Sequence, residues 1–242
     1  MNLILFETAN EATRLAPADP RTRHIREVLR MQRGDQLFVG VVNGPRGKAT
    51  IAEDGAAGLR LEIVWEKSIE TPRAIWVLAG LPRPQTARDM LREAATFGVA
   101  ALHFFPAEKG EPSYAGSTLW KSDEWKQRLR EGAAQAFATY VPEVKRHASL
   151  VDAMHDILAQ TPKPSVTLAL DNYEAGAPLS QLAPTQGPVV LALGAERGWS
   201  AQERLVLRET GFKLAHLGPR VLRTETALVA GLSVLLARRG EF

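Results

Sequence analysis

Val189-Val190-Leu191-Ala192-Leu193-Gly194-Ala195-Glu196-Arg197-Gly198-Trp199 runs from an apolar stretch of strand length straight into a glycine-bearing loop. Ser200 and Glu203 follow at capping-box spacing and open a helix over 201–209. A strand that delivers a loop and then a helix is the unit of an α/β fold. The same unit recurs on both sides. Val166–Leu170 and Lys213–His216 are short apolar strands, and Ala74–Gly80 and Ala101–Phe105 precede them. Helical periodicity lies between them near 85–96 and 123–138, and again at 225–238. This alternation predicts a parallel α/β sheet whose ligand loops sit at the carboxyl ends of the strands.

Upstream of about Arg73 the texture is different. Gln36–Val42 is a strand, Asn43-Gly44-Pro45-Arg46-Gly47 a turn, Lys48–Ala52 the returning strand, and Leu59–Trp65 alternates again. A small antiparallel sheet or barrel is expected, interrupted by a helix over 21–31 with Ile25, Val28 and Leu29 on one face. Thr71-Pro72 is the natural junction, giving domains 1–72 and 73–242. Residues 21–48 carry seven basic side chains against Glu27 and Asp35, a net +5 where the whole chain has only +3. Arg21, Arg23, Arg26, Arg30 and Arg33 are therefore the candidate RNA-binding residues, holding phosphates. A solvated helix face is the bland alternative.

Composition narrows the chemistry. With no cysteine, disulfides, thiolate metal sites and cysteine nucleophiles are excluded. His24, His103, His147, His155 and His216 form no pair at metal-ligand spacing, so no metal is expected. The first residues reach Glu7 without the basic start and long apolar run of a signal peptide, and Ala227–Ala237 is too short to span a bilayer. A cytoplasmic protein with no membrane partner is expected.

The glycine loops after the carboxyl-terminal strands match neither the dinucleotide nor the P-loop spacing. By themselves they are either ordinary turns or a small-molecule site. The strings are more specific. Leu217-Gly218-Pro219-Arg220-Val221-Leu222-Arg223-Thr224-Glu225-Thr226-Ala227 closely resembles the LG-x-R-I/V-LR-x-ETA signature of the ribosomal small-subunit RNA uridine-N3 methyltransferases, a family of the SPOUT class. Gly194–Trp199 resembles that family's GPEGGF loop, and His24–Met31 with Gly34-Asp35 its amino-terminal HL-x-x-VLR pattern followed by GD.

The resemblance implies a trefoil-knot cofactor domain, an amino-terminal PUA-like β-barrel, a homodimer and S-adenosylmethionine as methyl donor. Carried over by position, the cofactor would be bound by Leu170, Leu193, Gly194, Glu196, Leu217, Gly218, Arg220, Val221, Leu222 and Thr224. The substrate would be ribosomal RNA or the small ribosomal subunit. Methyl transfer to uridine N3 needs alignment and loss of a proton. Arg220 and Arg223 suit phosphate or an anionic uracil oxygen, and Glu225 or Glu196 a proton or the base. Arg223 is assigned to substrate charge and Glu225 to orientation; a first-turn acid favoured by the helix dipole is the alternative for Glu225. The leucines at 228, 232, 235 and 236 with Val229 would serve either a dimer interface or the core.

Departures from the family pattern remove charges on the substrate side and also alter the GPEGGF-like loop, where Arg197 would either block the cofactor pocket or replace a substrate contact. Glu93 stands for a lysine, Thr96 for an acid, Ala138 for an arginine, Ala195 for a proline and Arg197 for a glycine. They leave open a transferase for another RNA, such as tRNA, or a non-catalytic RNA-binding relative.

Overall fold

The computed structural model describes residues 3–160 and 162–242. The chain forms two compact units, Met1–Thr71 with Arg130–Val141, and Pro72–Leu129 with Pro142–Phe242. The first crossing is at Thr71–Pro72; a single cut after residue 72 misses the return of 130–141 to the first unit.

In the first unit, β1 (Ile4–Phe6), β2 (Arg14–Leu15), the short α1 (Pro20–Arg23), β3 (Gln36–Val41), β4 (Pro45–Gly55) and β5 (Gly58–Ile69) follow in order. The sheet order is β1-β3-β4-β5-β2, with β1 parallel to β3 and the other pairs antiparallel. Alternation does the work: Leu37 and Val39 on β3, Ala49 and Ile51 on β4, and Leu59 and Leu61 on β5 turn into one core with Phe6 and Leu15. The turn between β3 and β4 is tighter than expected. Asn43 takes the left-handed conformation, Gly44 N–H donates to Val41 at 2.8 Å, and Pro45 already belongs to β4.

The helix expected over 21–31 is largely replaced. After α1 the chain widens into a π-helical turn, His24–Val28, where Leu29 N–H reaches back five residues to the His24 carbonyl. That wider turn breaks the 3.6-residue period. Ile25 is fully buried and Leu29 packs against the core, but Val28 is 66% exposed instead of sharing their face.

In the second unit come β6 (Arg73–Gly80), α2 (Pro84–Thr96), β7 (Val99–Phe105), α3 (Thr118–Lys121) and the start of α4 (Glu124–Gln135), whose residues from Arg130 on belong to the first unit. There follow β8 (Glu143–Arg146), α5 (Leu150–Leu158), β9 (Val166–Leu170), α6 (Leu179–Leu182), β10 (Val189–Leu193), α7 (Ala201–Glu209), β11 (Lys213–Ala215) and α8 (Thr224–Arg239). The helix expected to reach residue 138 stops at Gln135, because Phe137 adopts a positive φ that no α-helix accommodates. Six parallel strands pair in the order β11-β9-β10-β6-β7-β8. One face, with Trp76, Leu78, Ala169, Val190 and Ala192, packs on Met154 and Ile157 of α5 and Leu207 of α7. From the other face, Leu170 and Leu191 meet Gly231 of α8. Leu228, Leu232, Leu235 and Leu236 of α8 are buried within the chain itself, so the core already uses them.

The register sets up the site. Leu170 pairs with Leu193 on one side and with Ala215 on the other. The carboxyl ends of β9, β10 and β11 therefore lie level, and their three loops leave from one edge. Among the described residues no helix is long and apolar enough to cross a membrane.

Candidate active site

The three loops are fastened to one another. Asp171, the first residue after β9, is buried; its carboxylate accepts from Arg204 Nε at 2.5 Å and from the amides of Tyr173 and Glu174 at 2.6 and 2.8 Å. Burial pushes its pKa up, but the guanidinium and the two amides outweigh burial and hold it below the usual carboxylate value. Asn172 Nδ2 donates to the Arg220 carbonyl at 2.9 Å, joining the first loop to the third. Trp199 joins the second to the first: its indole N–H donates to the Leu170 carbonyl at 2.8 Å, and its ring stacks on Phe105. The expected capping box forms, with Ser200 and Glu203 exchanging bonds at the start of α7. Glu203 also accepts from the Glu108 amide at 3.0 Å.

Between the loops lies a cleft of about 750 Å³, open mouth included. Its wall includes Leu170, Leu193, Gly194, Glu196, Leu217, Val221, Leu222 and Thr224, eight of the ten residues expected there. Gly218 and Arg220 do not line it. Gly218 works behind the wall: at φ +112° it turns the third loop while its N–H donates to His216 Nδ1 at 3.1 Å. Arg220 contributes its carbonyl to Asn172 and leaves its side chain exposed. Asp171, Asn172 and Tyr173, the successors of Leu170 on the first expected loop, and Trp199 at the end of the second also form the wall without having been singled out, and Arg204, outside the three loops, was missed. An acid directly after an apolar strand, with a buried arginine on the next helix but one, was the available signal for two of them.

The amides of Ala195, Glu196, Leu222 and Arg223 have no acceptor among the described residues. Ala195 is buried in the wall of the cleft. A second cavity, of about 1080 Å³ with its open side included, adjoins the first and shares Glu196, Arg197, Val221, Leu222 and Thr224 with it. Arg223 and Glu225 line this second cavity; Arg220, expected with them, lines neither.

A model of the RNA methyltransferase domain matches residues 69–236. The ribosomal RNA small subunit methyltransferase E of Treponema pallidum (strain Nichols) is 32% identical over 255 residues, covering 98% of this chain and 91% of that protein. This chain belongs to the ribosomal RNA small subunit methyltransferase E family. The methyltransferase E 1 of Borreliella burgdorferi is 24% identical over 239 residues, covering 99% and 98% of the two chains. Among solved folds, the methyltransferase E of Neisseria gonorrhoeae, bound to S-adenosyl methionine, superposes with a TM-score of 0.77 at 20% identity over 98% and 97% of the chains. A Legionella pneumophila protein solved with the bound cofactor SAM gives 0.79 at 23% identity, also over 98% and 97%.

The family's altered positions separate in space. Arg197 is at the junction of the two cavities, and Ala195 is in the wall of the first. Glu93 and Thr96 line neither; Glu93 lies 3.7 Å from Arg92 and the Thr96 hydroxyl donates to the Arg92 carbonyl on α2. Of the five arginines expected on RNA, Arg21 pairs with Asp19 at 2.7 Å and covers the Phe6 ring, and Arg26 pairs with Asp54 at 2.5 Å. Arg23, Arg30 and Arg33 are exposed with no ion-pair partner among the described residues.

One grouping was hidden from a spacing argument. His103, His147 and Asp156 come together on β7, after β8 and on α5, with His103 Nδ1 3.1 Å from His147 Nε2 and 3.4 Å from Asp156 Oδ2. Lys145 occupies the same carboxylate oxygen at 3.0 Å. His103 Nε2 is buried without a partner. The ring proton therefore belongs on Nδ1, donating to His147. The three side chains link β7, the segment after β8 and α5.

Proposed function

We propose that this chain transfers the methyl group of S-adenosylmethionine to N3 of a uridine in small-subunit ribosomal RNA. The observation that carries the reading is the level ending of β9, β10 and β11, whose loops enclose a walled cleft beside a second, basic cavity. The reading includes a trefoil knot threaded by the three loops, a PUA-like first unit that presents Arg23, Arg30 and Arg33 to RNA phosphates, and action in the cytoplasm.

The cleft fits the cofactor by chemistry. Leu170, Leu193, Leu217 and Leu222 offer apolar walls to a heterocycle, while the partnerless amides of Ala195, Glu196 and Leu222 offer donors to ring nitrogens or a carboxylate. When bound, S-adenosylmethionine supplies an electrophilic methyl group on a sulfonium centre. The chain's own contribution is alignment and proton handling. Glu225, in the first turn of α8 and half-buried in the second cavity, orients the uracil N3–H edge and accepts the proton that N3 releases as it takes the methyl group. Arg223 balances the negative charge that a uracil oxygen gains as N3 loses its proton. A paired uridine hides N3, so the substrate nucleotide is unstacked before it enters.

The reading includes a homodimer built on surface other than the α8 leucines, which the core occupies; sedimentation velocity at micromolar concentration tests it. Calorimetry with S-adenosylmethionine, followed by mass spectrometry of nucleosides from treated small-subunit RNA, tests the activity. Saturable binding and N3-methyluridine are expected. Absence of saturable binding at millimolar cofactor, or a methyl group on a different nucleoside, would overturn the respective half of the assignment.

A further inference from the structure

The second cavity has a charge arrangement that the fold does not require. Arg83, Lys109, Arg197 and Arg223 all line it, with Glu111, Glu196 and Glu225. Four cations and three acids in one cavity would ordinarily pair, yet among the described residues none of these four cations has an ion-pair partner. One of the acids is engaged elsewhere. Glu196 Oε1 is taken by the Arg83 backbone amide at 2.8 Å. Lys109 Nζ is turned toward the Trp199 carbonyl at 2.8 Å, which holds the ammonium at the second loop. Like charges left unpaired around one concavity repel, and an anionic guest relieves that repulsion. Tyr114, half-buried, is the one aromatic side chain in this lining. Cations around an aromatic face are the elements of a site for an unstacked nucleotide, whose phosphate meets the charge and whose base meets the ring.

Arg197 is singular among the four. It lies at the tip of the second loop, is exposed, and lines both the cleft and the second cavity. Its loop is braced at Trp199, so the guanidinium is carried on a fixed base while its own end stays free. Resting on the proposed function, we infer that the second cavity is the acceptor-nucleotide site, and that Arg197 with Lys109 clamps the phosphate of that nucleotide while Tyr114 supports its base. Arg197 is then a positioning residue for the RNA.

The test compares the full-length chain with Arg197→Ala, Arg197→Lys and the double variant Arg197→Ala/Lys109→Met. Three readings are taken on each: cofactor affinity, methyl transfer to a small-subunit ribosomal RNA transcript, and RNA affinity across a salt series. Arg197→Ala raises KM for RNA about tenfold, the usual size for a lost charge-assisted contact, with kcat nearly unchanged. In the two single variants cofactor Kd stays within twofold, and Arg197→Lys recovers most of the loss; the double variant also releases the Trp199 carbonyl that Lys109 holds, so only its RNA readings count. The salt slope of RNA binding shrinks by about 1 for each cation removed. An unchanged RNA KM and salt slope in the double variant would overturn the assignment. So would a cofactor Kd that rises in parallel with KM, since Arg197 would then serve the cofactor. A wild-type chain that transfers no methyl group sinks the proposed function instead, and the salt slopes still decide the nucleotide site.

Discussion

Gly194→Ala is the sharpest perturbation of the cofactor cleft. A methyl group built on Gly194 lies 2.9 Å from the Gly198 carbonyl carbon, 3.0 Å from the Trp199 nitrogen and 3.1 Å from the Gly198 Cα. All three are backbone atoms of the same loop, so no side chain can swing away. The far end of the loop is pinned by the Trp199 indole on Leu170 and by Lys109 on the Trp199 carbonyl. The only relief is for the loop to open by a few tenths of an ångström, in the wall where the partnerless amides of Ala195 and Glu196 sit. Overpacking of this kind typically costs about 1–3 kcal/mol. If binding needs the closed loop, the strain returns as lost affinity, roughly a 5- to 150-fold rise in Kd for S-adenosylmethionine. Calorimetry on the variant reads this directly, and thermal unfolding reports how much strain remains in the free protein. Gly176→Ala is the control, because its added methyl meets nothing within 4 Å and its φ is not in the left-handed region. Gly194→Ala binding within twofold of wild type, at unchanged stability, would refute the steric account of the cleft.

Three further outcomes follow from the same geometry. Arg204→Met strips the buried Asp171 carboxylate of its guanidinium and should destabilise the chain by about 3–5 kcal/mol in urea unfolding; adding Asp171→Asn restores part of it, and a loss below about 1 kcal/mol would contradict a buried ion pair. His103 is fully buried, and burial, then the neighbouring His147, lower its pKa from 6.5 to about 4, with Asp156 opposing and Lys145 adding to the shift. Because the unfolded chain takes up this proton first, stability is full above 6.5 and declines as pH falls toward about 4; that gap, at 1.36 kcal/mol per unit, amounts to about 3 kcal/mol. Denaturant midpoints between pH 7.5 and 4.5 should fall for wild type and flatten in His103→Leu, and equal slopes in both would dismiss the histidine. Finally, Arg23→Ala/Arg30→Ala/Arg33→Ala should weaken RNA binding uniformly across sequences and lower the salt slope by about 3, leaving cofactor affinity untouched; no change in slope would mean that these arginines only solvate a surface.

Legibility in the sequence followed the locality of the signal. The strands 166–170 and 189–193 and the helix 201–209 were readable because apolar runs and the Ser200–Glu203 box are local codes. The edge strand β8, Glu-Val-Lys-Arg, carries too little apolar pattern to read as a strand, as edge strands commonly do. The π-helical turn defeated a 3.6-residue template, which is why Val28 was assigned to the wrong face. At the site, residues on the glycine loops were legible from their strings. Those that fasten the loops were not, because the Asp171–Arg204 and Asn172–Arg220 contacts join positions 33 and 48 residues apart. His103 and His147, 44 residues apart, were hidden for the same reason.

The return of residues 130–141 to the first unit bears on how the protein is made. Thr139 donates its hydroxyl to the Gly44 carbonyl and its amide to Glu70, Val141 N–H donates to Asn43, and Arg130 pairs with Glu7. The ribosome delivers Thr71 some seventy residues before Val141, a lag of roughly 4–14 s at ordinary synthesis rates. Throughout that interval the nascent amino-terminal sheet lacks the strap that satisfies Asn43, Gly44 and Glu70. The part of the molecule translated first is thus completed only after the following domain is partly out of the exit tunnel, and a truncation at Thr71 would mimic that unfinished nascent state.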